Sequence, residues 1–378
     1  MVKSLLVSQN YFPPQTGGIS RMMEQICLSL GPDKVSCLTG IRATQGSKTD
    51  PAQFRLYRRP SAFSGHKYFQ AISLLEVLMR VRPRIIQLGL CYDGYIGLLV
   101  KRWLSIPFVI YAHGNEILEA SKSDWDKPRL ALRQASCVLA NSRFTASLVE
   151  KAGVSPTAIR VIPLGCDTER FRPRAPNDQL LKKLLGHRAK GPIILTVGNL
   201  VERKGHDMVV RALPAIRKLF PEVTYVIVGS GPFKKDLEDM AFSLGVRDQV
   251  VFAGKASDEE LPDFYSLCDV FAMPSRARID AGDVEGFGLV FLEAAACGKP
   301  AVGGRSGGVE DAVVDGVTGL LVDPCDAEDV GRAILSLLGK PDLRGELGRH
   351  GRDRVEREYT WKVAGSRIQE ILEQICAG

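Results

Sequence analysis

Two carboxylates eight residues apart are the strongest chemical signal in the chain. They lie in the segment Glu285-Gly-Phe-Gly-Leu-Val-Phe-Leu-Glu293, the first before a glycine-rich turn and the second inside an apolar run typical of a helix. A helix that begins after Gly288 is able to hold both carboxylates at one site. Such a pair could serve as a general acid and base. A second glycine-rich turn, residues 303–308, follows at once.

Two adjacent cations follow the first predicted strand in the second half of the chain. Arg203 and Lys204 come shortly after Gly198-Asn199 and stand at the entry to a predicted helix. A guanidinium binds phosphate oxygens bidentately, an ammonium adds a point charge, and a helix N-terminus favours an anion. The segment is therefore a candidate diphosphate site, although an Arg-Lys pair is also common on ordinary surfaces.

Two motifs in the first half follow predicted strands in the same way. The pair Gly17-Gly18 opens a helix and either lets the backbone approach an anion or makes a tight turn. His113 comes directly after the predicted strand 108–111, at the sheet edge where α/β folds place ligands. It is either a substrate contact or a structural histidine of the loop. No Gly-x-Gly-x-x-Gly fingerprint follows a strand, which argues against a dinucleotide-dependent oxidoreductase.

Strand-like and helix-like segments alternate along the chain, which predicts parallel sheets with helices on both faces. The predicted strands are residues 4–8, 35–39, 85–88, 108–111, 137–140, 160–162, 193–197, 224–228, 250–252, 270–272 and 300–303. The predicted helices are residues 20–30, 68–81, 94–103, 142–152, 205–220, 233–244, 258–267, 289–297, 326–338, 342–357 and 361–376. A proline-rich stretch, Pro163–Pro176, interrupts the alternation and is the predicted linker.

The length of 378 residues exceeds one ordinary core, so the sequence predicts two domains. The predicted domains are residues 1–165 and residues 166–360, and the final helix, about 361–378, is expected to pack back on the first domain. Each domain is predicted to be a doubly wound, Rossmann-like α/β unit. We expect the two to face each other across a cleft.

Composition argues against several other classes of protein. Hydrophobic residues make up 45% and charged residues 25% of the chain, as in soluble globular proteins. No apolar run reaches the roughly 20 residues that span a bilayer, and the N-terminus reads as a strand, so we expect a cytoplasmic protein. Nine scattered cysteines without a Cys-x-x-Cys pair indicate reduced core residues rather than metal ligands or disulfides.

The net charge of +7 is concentrated in residues 1–165. The basic clusters there are Arg55, Arg58, Arg59, His66 and Lys67, then Arg80, Arg82 and Arg84, then Lys101 and Arg102 beside Trp103. This face either recruits an anionic membrane or acceptor, at about 1 kcal/mol per basic residue near the surface, or is ordinary solvated surface. Aromatic residues are not interleaved with the basic ones, which argues against nucleic acid as a partner.

Taken in order, these motifs resemble those of the retaining glycosyltransferase family 4, which has the GT-B fold. The resemblance rests on Gly17-Gly18, His113-Gly, Asn141-Ser-Arg-Phe-Thr, Val161-Ile-Pro-Leu-Gly-Cys-Asp167, Arg203-Lys204-Gly205, Val228-Gly-Ser-Gly-Pro232, Pro274-Ser, Glu285 to Glu293, and Ser306-Gly-Gly. It covers nearly the whole chain. Within the family, the region from Pro274 to Glu293 is most similar to bacterial α-mannosyltransferases that act on phosphatidylinositol mannosides and related lipids.

The resemblance implies a role for each matching position of the first-named segment. Glu293 would bind the ribose hydroxyls of a donor nucleotide, and Glu285 would bind a hydroxyl of the transferred sugar. The amides that follow Glu285 would meet sugar or phosphate oxygens, at Gly286, Phe287, Gly288 and Leu289.

The resemblance also implies a diphosphate site after Gly198. Arg203 and Lys204 would hold the diphosphate and stabilise its charge as it leaves, with Gly17 and Gly18 approaching from the other domain and His113 beside the transferred sugar. Asn199 is a departure, because many relatives have an arginine there. A second arginine contact to phosphate is therefore in doubt, although the asparagine amide still donates a hydrogen bond.

The reaction implied by the resemblance moves a hexose from a nucleotide sugar, GDP-mannose first, to a hydroxyl of a lipid-linked or saccharide acceptor. Cationic side chains replace a metal in this scheme, so we expect no metal or cofactor and turnover that persists in EDTA. UDP-glucose and UDP-N-acetylglucosamine are alternative donors. Alternatives of another class are a sugar-nucleotide epimerase or hydrolase and an inactive binding protein. Acceptor specificity is expected in the first domain, in loops such as 42–54 and 61–66. The inner face of the cytoplasmic membrane is an alternative to a purely cytoplasmic location of the protein.

Overall fold

The computed structural model describes residues 2–13, 15, 17–40, 54–59, 67–119, 126–186 and 191–377. Of Arg59 and residues 67–73 only the backbone is described. The loops predicted to carry acceptor specificity therefore lie outside the described residues, apart from Phe54, as does His66 of the basic cluster. The chain forms two compact units, Met1–Gly165 with Trp361–Gly378, and Cys166–Thr360.

The first unit is built on a parallel sheet of seven strands. They are β1 (Ser4–Ser8), β2 (Val35–Gly40), β3 (Arg55–Arg59), β4 (Ile85–Leu88), β5 (Phe108–Ala112), β6 (Cys137–Ala140) and β7 (Ile159–Val161). Their order is β3-β2-β1-β4-β5-β6-β7. Strand β1 lies inside this sheet and is buried along its whole length, which explains the apolar residues between its two terminal serines.

Helices connect the strands of the first unit. They are α1 (Gly18–Leu30), α2 (Lys67–Val81), α3 (Gly94–Leu104), α4 (Asn115–Leu118), α5 (Asp126–Gln134) and α6 (Arg143–Lys151). A parallel neighbour requires a crossover connection, and these helices lie in the connections of the first unit except that from β2 to β3, most of which is outside the described residues.

The second unit repeats the same architecture with six parallel strands. They are β8 (Ile193–Val197), β9 (Thr224–Val228), β10 (Val250–Gly254), β11 (Val270–Met273), β12 (Ala301–Gly304) and β13 (Gly319–Val322), in the order β10-β9-β8-β11-β12-β13. The direction of winding reverses between β8 and β11. In open α/β sheets ligands bind beyond the carboxyl ends of the strands at this reversal.

The remaining helices surround the second sheet or close the chain. They are α7 (Asp178–Leu185), α8 (His206–Leu219), α9 (Lys234–Ser243), α10 (Leu261–Leu267), α11 (Leu289–Ala296), α12 (Val309–Ala312), α13 (Ala327–Gly339), α14 (Pro341–Glu358) and α15 (Trp361–Ala377). These two parallel sheets with interleaved helices confirm the predicted α/β fold class.

Helix α15 belongs to the first unit, where it packs on α1. A Cβ at Gly365 would lie 2.5 Å from Ser29 Oγ, so glycine allows this close approach. Near the end of the helix, Arg84 donates a hydrogen bond of 2.8 Å to the carbonyl of Cys376. The C-terminal helix α15 therefore contacts residues from the N-terminal part of the first unit.

Two strands are absent from the sequence prediction, and both lie at a sheet edge. Among the described strands, β3 pairs with β2 alone, and it contains three arginines of the predicted basic cluster. In the same described set, β13 pairs with β12 alone and begins with glycine. An edge strand of this kind needs less apolar surface than a central one, so its hydrophobic signal is weak.

Cysteine burial agrees with the predicted reduced, structural role. Seven of the nine thiols are buried, and all nine are free. Among the described residues, no helix combines the length and apolar character needed to cross a membrane.

Candidate functional site

Two glycine-rich turns of the second unit pack directly against each other. The amide of Gly308 donates a hydrogen bond of 2.8 Å to the carbonyl of Glu285. A Cβ at Gly308 would lie only 1.9 Å from the oxygen of Gly286, and one at Gly307 would lie 2.6 Å from the oxygen of Glu285. The Ser306-Gly-Gly motif is therefore required by backbone packing, and it fixes the segment that carries Glu285.

A third turn, which carries the two cations, rests on the loop after β11. Gly205 has a φ of +74°, and a Cβ there would lie 2.1 Å from the carbonyl oxygen of Pro274. The amide of Arg276 donates a hydrogen bond of 2.9 Å to the carbonyl of Arg203. Loops that follow β8, β11 and β12 thus converge at the carboxyl edge of the sheet, at the reversal of winding.

At this point the structure brings Arg203, Lys204 and Glu285 together, as the sequence predicted for one site. Glu285 Oε2 accepts hydrogen bonds from Arg203 Nη1 at 2.7 Å and from Lys204 Nζ at 2.6 Å. A second carboxylate, Asp283, accepts a bond of 2.6 Å from Arg203 Nε. We call these four residues the charged cluster. The side chains of Arg203, Lys204 and Glu285 are each about 12 to 15% exposed.

Opposing effects act on the acidity of Glu285. Burial favours the neutral acid, but the positive charges and hydrogen bonds of Lys204 and Arg203 outweigh it, so the pKa of Glu285 lies below its usual range. The carboxylate is therefore ionised at neutral pH. An ionised Glu285 accepts hydrogen bonds and has no proton to donate, which removes the general-acid interpretation of this residue.

The two carboxylates orient Arg203 and Lys204 but accept from only some of the N–H groups of these cations. A guanidinium has five N–H groups and an ammonium three. Within the described residues, Arg203 donates through Nε and Nη1 only, and Lys204 makes a single bond. Gly198 lies beside the Lys204 stem, where a Cβ would contact Cε at 3.6 Å. The remaining N–H groups are able to bind an anionic ligand.

Backbone donors are also available beside the charged cluster. Among the described residues, the amides of Gly286, Phe287 and Gly288 have no hydrogen-bond acceptor. Helix α11 begins immediately afterwards, at Leu289, with Gly288 in the left-handed conformation at its N-terminus. These amides and the helix dipole favour oxygen atoms that carry negative charge.

The second glutamate of the segment lies in a different environment. Glu293 is 3% exposed inside α11, and its Oε2 accepts a hydrogen bond of 2.8 Å from the hydroxyl of Tyr265. Burial and the charge of Glu293 raise the pKa of Tyr265 well above its usual range, so the phenol remains a donor. Glu285 and Glu293 therefore have different partners and do not form an acid/base pair.

Asn199, the departure from the family pattern, is held through its backbone. Its side chain is exposed, and its carbonyl accepts a hydrogen bond of 3.1 Å from His206 Nε2. His206 is fully buried and also contacts the hydroxyl of Tyr225 at 3.2 Å. His206 is the first residue of α8 and faces the interior.

In the first unit, His113 is tied to three neighbours. Its Nε2 donates to the carbonyl of Gly89 at 2.9 Å, and its amide donates to Glu116 Oε1 at 2.5 Å. Its own carbonyl accepts a bond of 3.2 Å from Asn141. The ring is thereby oriented, and Nδ1 has no hydrogen-bond partner within the described chain.

The glycine pair of the first unit has open space in front of it. Gly17 has a φ of +138°, which favours glycine, and precedes the first residue of α1, Gly18. A Cβ at either position would meet none of the described residues within 4 Å. Packing against the described part of the chain therefore does not account for Gly18, whereas Gly17 is required by its backbone conformation.

Several polar residues at these strand ends were missed by sequence reasoning. Asp93 is buried after β4, and burial raises its pKa to about 7, while an amide hydrogen bond from Gln9 acts in the opposite direction. Gln9 also donates a bond of 2.7 Å to Tyr95. The sequence signal that could have identified Gln9 and Asp93 is their position, because the segments that contain them follow predicted strands.

Comparisons with solved structures agree with this fold. The chain resembles sucrose-phosphate synthase from Thermosynechococcus elongatus with a TM-score of 0.81 and 23% identity, over 100% of each chain. It resembles Anabaena HepE in complex with UDP and glucose with a TM-score of 0.79 and 24% identity, over 99% of this chain and 100% of that one. These likenesses establish the fold, which is that of GT-B enzymes.

Family models match both units. Residues 16–170 match the model described as Glycosyltransferase Family 4, and residues 177–354 match the model described as Glycosyl transferases group 1. The GDP-mannose-dependent α-(1-6)-phosphatidylinositol monomannoside mannosyltransferase of Mycolicibacterium smegmatis is 33% identical over 97% of this chain and 98% of its own. The corresponding enzyme for the monoacylated lipid from Corynebacterium glutamicum is 28% identical over 98% of each chain.

The chain therefore belongs to glycosyltransferase family 4, as its motifs predicted. Its predicted enzyme class, a hexosyltransferase, is confirmed by this membership.

The buried His206 gives a pH-dependent stability. Burial lowers its pKa from 6.5 to about 4, so the unfolded chain binds more protons between these pH values. The stabilisation is present above pH 6.5 and decreases as pH falls toward 4, by up to about 3 kcal/mol. Urea unfolding gives the free energy of unfolding of the wild type and of His206→Gln at each pH, and the difference between the two isolates the contribution of His206. Asp93 contributes with the opposite sign, but it is present in both proteins and therefore cancels in the difference. An equal pH dependence in both proteins would contradict the assignment.

Proposed function

We propose that this enzyme transfers mannose from GDP-mannose to a hydroxyl of a lipid-linked or saccharide acceptor, with retention of configuration and without a metal. The observation that carries the proposal is the charged cluster, in which Arg203 and Lys204 retain unused donors. GDP-mannose is the first choice because the Mycolicibacterium and Corynebacterium relatives are named for it. An acceptor of the phosphatidylinositol mannoside type is favoured on the same ground.

The charged cluster supports the donor assignment chemically. Cleavage of the anomeric bond releases a nucleoside diphosphate, so a catalyst must stabilise negative charge on the leaving group. Arg203 and Lys204 are positioned for this task before the ligand arrives, which reduces the reorganisation that the reaction requires. The free amides of Gly286 and Phe287 are suited to sugar or phosphate oxygens, and Glu285 is suited to accept from a sugar hydroxyl.

Glu293 is assigned to the donor ribose by its match to the family motif. In the described structure the carboxylate is buried with Tyr265, which fixes its orientation. The roles of His113, Gly17, Gly18, Gly198 and Asn199 remain predictions from the same resemblance. Retention of configuration is proposed from the family and not from the residues, because no carboxylate among the described residues is clearly placed as a nucleophile.

Other donors and other activities remain alternatives. UDP-glucose and UDP-N-acetylglucosamine carry the same diphosphate, and the charged cluster does not distinguish the base. A sugar-nucleotide epimerase or hydrolase would use the same donor contacts but would consume the donor without an acceptor. An inactive binding protein would bind the donor and leave it intact.

The proposal predicts acceptor-dependent release of nucleoside diphosphate. Purified enzyme is incubated with each labelled nucleotide sugar, with and without a mycobacterial-type lipid extract, in buffer or in EDTA. GDP release from GDP-mannose is expected only with lipid, at equal rates in both buffers.

Glu285→Gln is expected to lower turnover about 100-fold, whereas the matched control Glu310→Gln, exposed on α12, is expected to match wild type. Donor consumption without lipid would contradict transfer, and loss of activity in EDTA would contradict the metal-free reaction.

We further propose that the first unit contacts an anionic membrane through one end of α3. Trp103 is 73% exposed, and its neighbours Leu99 and Leu104 are about half exposed. Lys101 and Arg102 lie between them, and the Arg102 guanidinium is 5.7 Å from the Trp103 ring centre. Indole rings favour the membrane interface, and basic side chains favour anionic headgroups.

Vesicle sedimentation tests this contact. Binding to phosphatidylglycerol-containing vesicles is expected to weaken with added NaCl, because charges near the surface are screened. Trp103→Ser is expected to reduce binding about fivefold to tenfold. Phe242→Ser, which removes an aromatic side chain 71% exposed in the second unit, is the matched control and is expected to leave binding unchanged. Binding that ignores salt, or equal binding by both variants, would contradict the proposal.

A further inference from the structure

The guanidinium of Arg203 is held by two carboxylates from the same loop. Asp283 accepts from Nε at 2.6 Å and Glu285 accepts from Nη1 at 2.7 Å, so the two bonds fix the plane of the group. No bond from Nη2 is made within the described residues. Asp283 is about one third exposed and has no matching position among the motifs that identify the family.

Asp283 is itself held by a tight hairpin. Its amide donates to the carbonyl of Arg278 at 3.1 Å, and the amide of Arg278 donates to its carbonyl at 2.8 Å. Between them lie one short 3-10 turn, Ile279–Ala281, and Gly282 with a φ of +67°. The carboxylate therefore projects from a closed loop and not from a freely moving segment.

Ion pairs fasten this hairpin to the turn that carries the two cations. Arg276 pairs with Asp207 at 3.0 Å and with Glu202 at 3.3 Å, and Arg278 pairs with Glu202 at 2.8 Å. The Arg276 side chain is 11% exposed, so its contacts are partly shielded from solvent. The distance between the Asp283 carboxylate and Arg203 is thus set by several contacts on both sides.

We propose that Asp283 is a positioning residue for Arg203. This inference rests on the proposed function and assigns the residue that keeps the Arg203 guanidinium directed at the donor diphosphate. Without Asp283, the guanidinium would turn its Nε and Nη2 edge toward Glu285 and form a bidentate pair. That arrangement would leave the same number of unused N–H groups but would change their direction, and it would engage both oxygens of the carboxylate that is proposed to bind the sugar.

Removing the charge of Asp283 should therefore affect the reaction through Arg203. Asp283→Asn is expected to lower nucleoside diphosphate affinity about threefold to tenfold and turnover by about tenfold or more, because orientation matters most as leaving-group charge develops. Asp283→Glu, which restores the charge, is expected to recover part of the loss. Asp280→Asn, an exposed carboxylate of the same hairpin, is the matched control and is expected to behave as wild type.

A double-mutant cycle separates positioning from a general effect on folding. In the Arg203→Ala background, Asp283→Asn is expected to cause no further loss of affinity or turnover, since the group that it orients is absent. Thermal unfolding and the stoichiometry of GDP binding report the folded fraction of each variant. Equal losses in both backgrounds, or an Asp283→Asn protein indistinguishable from Asp280→Asn, would overturn the inference.

The affinity arm of this cycle uses GDP binding by calorimetry and requires no turnover. If the wild type binds GDP but transfers no sugar, the proposed function fails while the cycle in affinity still decides the role of Asp283. If the wild type transfers mannose and the cycle is additive, the proposed function stands and the positioning role is wrong.

Discussion

The candidate site depends on one partly buried ion-pair arrangement, in which Glu285 accepts from Arg203 and Lys204 at the same oxygen. Removing Glu285 would leave the two cations incompletely paired, and removing the cations would leave Glu285 unpaired. An unpaired charge in this partly buried region would destabilise the fold. The pairs with Asp283 and Glu285 balance the two cations, so net charge alone does not attract an anion. What the site offers is a set of oriented, unused N–H donors, and orientation is the property that stabilises a leaving diphosphate.

Glycines allow the surrounding loops to come close enough for this arrangement. Gly205, Gly307 and Gly308 each lie where a Cβ would overlap a backbone carbonyl of a neighbouring loop. The glycine-rich motifs of the second unit therefore act mainly through loop-to-loop packing, and they leave the amides after Glu285 available. Gly18 of the first unit differs, because a Cβ there would contact none of the described residues within 4 Å. Similar glycine motifs in one sequence thus have different physical causes.

The sequence predicted the fold class and the grouping of Arg203, Lys204 and Glu285, because strand ends at a winding reversal meet at one sheet edge. The sequence did not predict Asp283 as a partner of Arg203, because Asp283 lies on a hairpin without a recognisable motif. It did not predict Tyr265 as a partner of Glu293, because the two residues are far apart in the sequence. The edge strands β3 and β13 were missed because the arginines of β3 and the glycine of β13 weaken the hydrophobic signal of a strand. The burial of His206 was not predicted, because its charged sequence neighbours, Lys204 and Asp207, are typical of an exposed position.

The most direct measurement is calorimetric titration of GDP and guanosine into wild type, Lys204→Ala and Lys218→Ala. Lys218 is an exposed lysine of α8 and serves as the matched control. If the cations of the charged cluster bind the diphosphate, Lys204→Ala lowers GDP affinity about tenfold or more, to a value near that of guanosine. Guanosine binding stays unchanged, and Lys218→Ala matches wild type. Equal GDP affinity in wild type and Lys204→Ala would contradict the account.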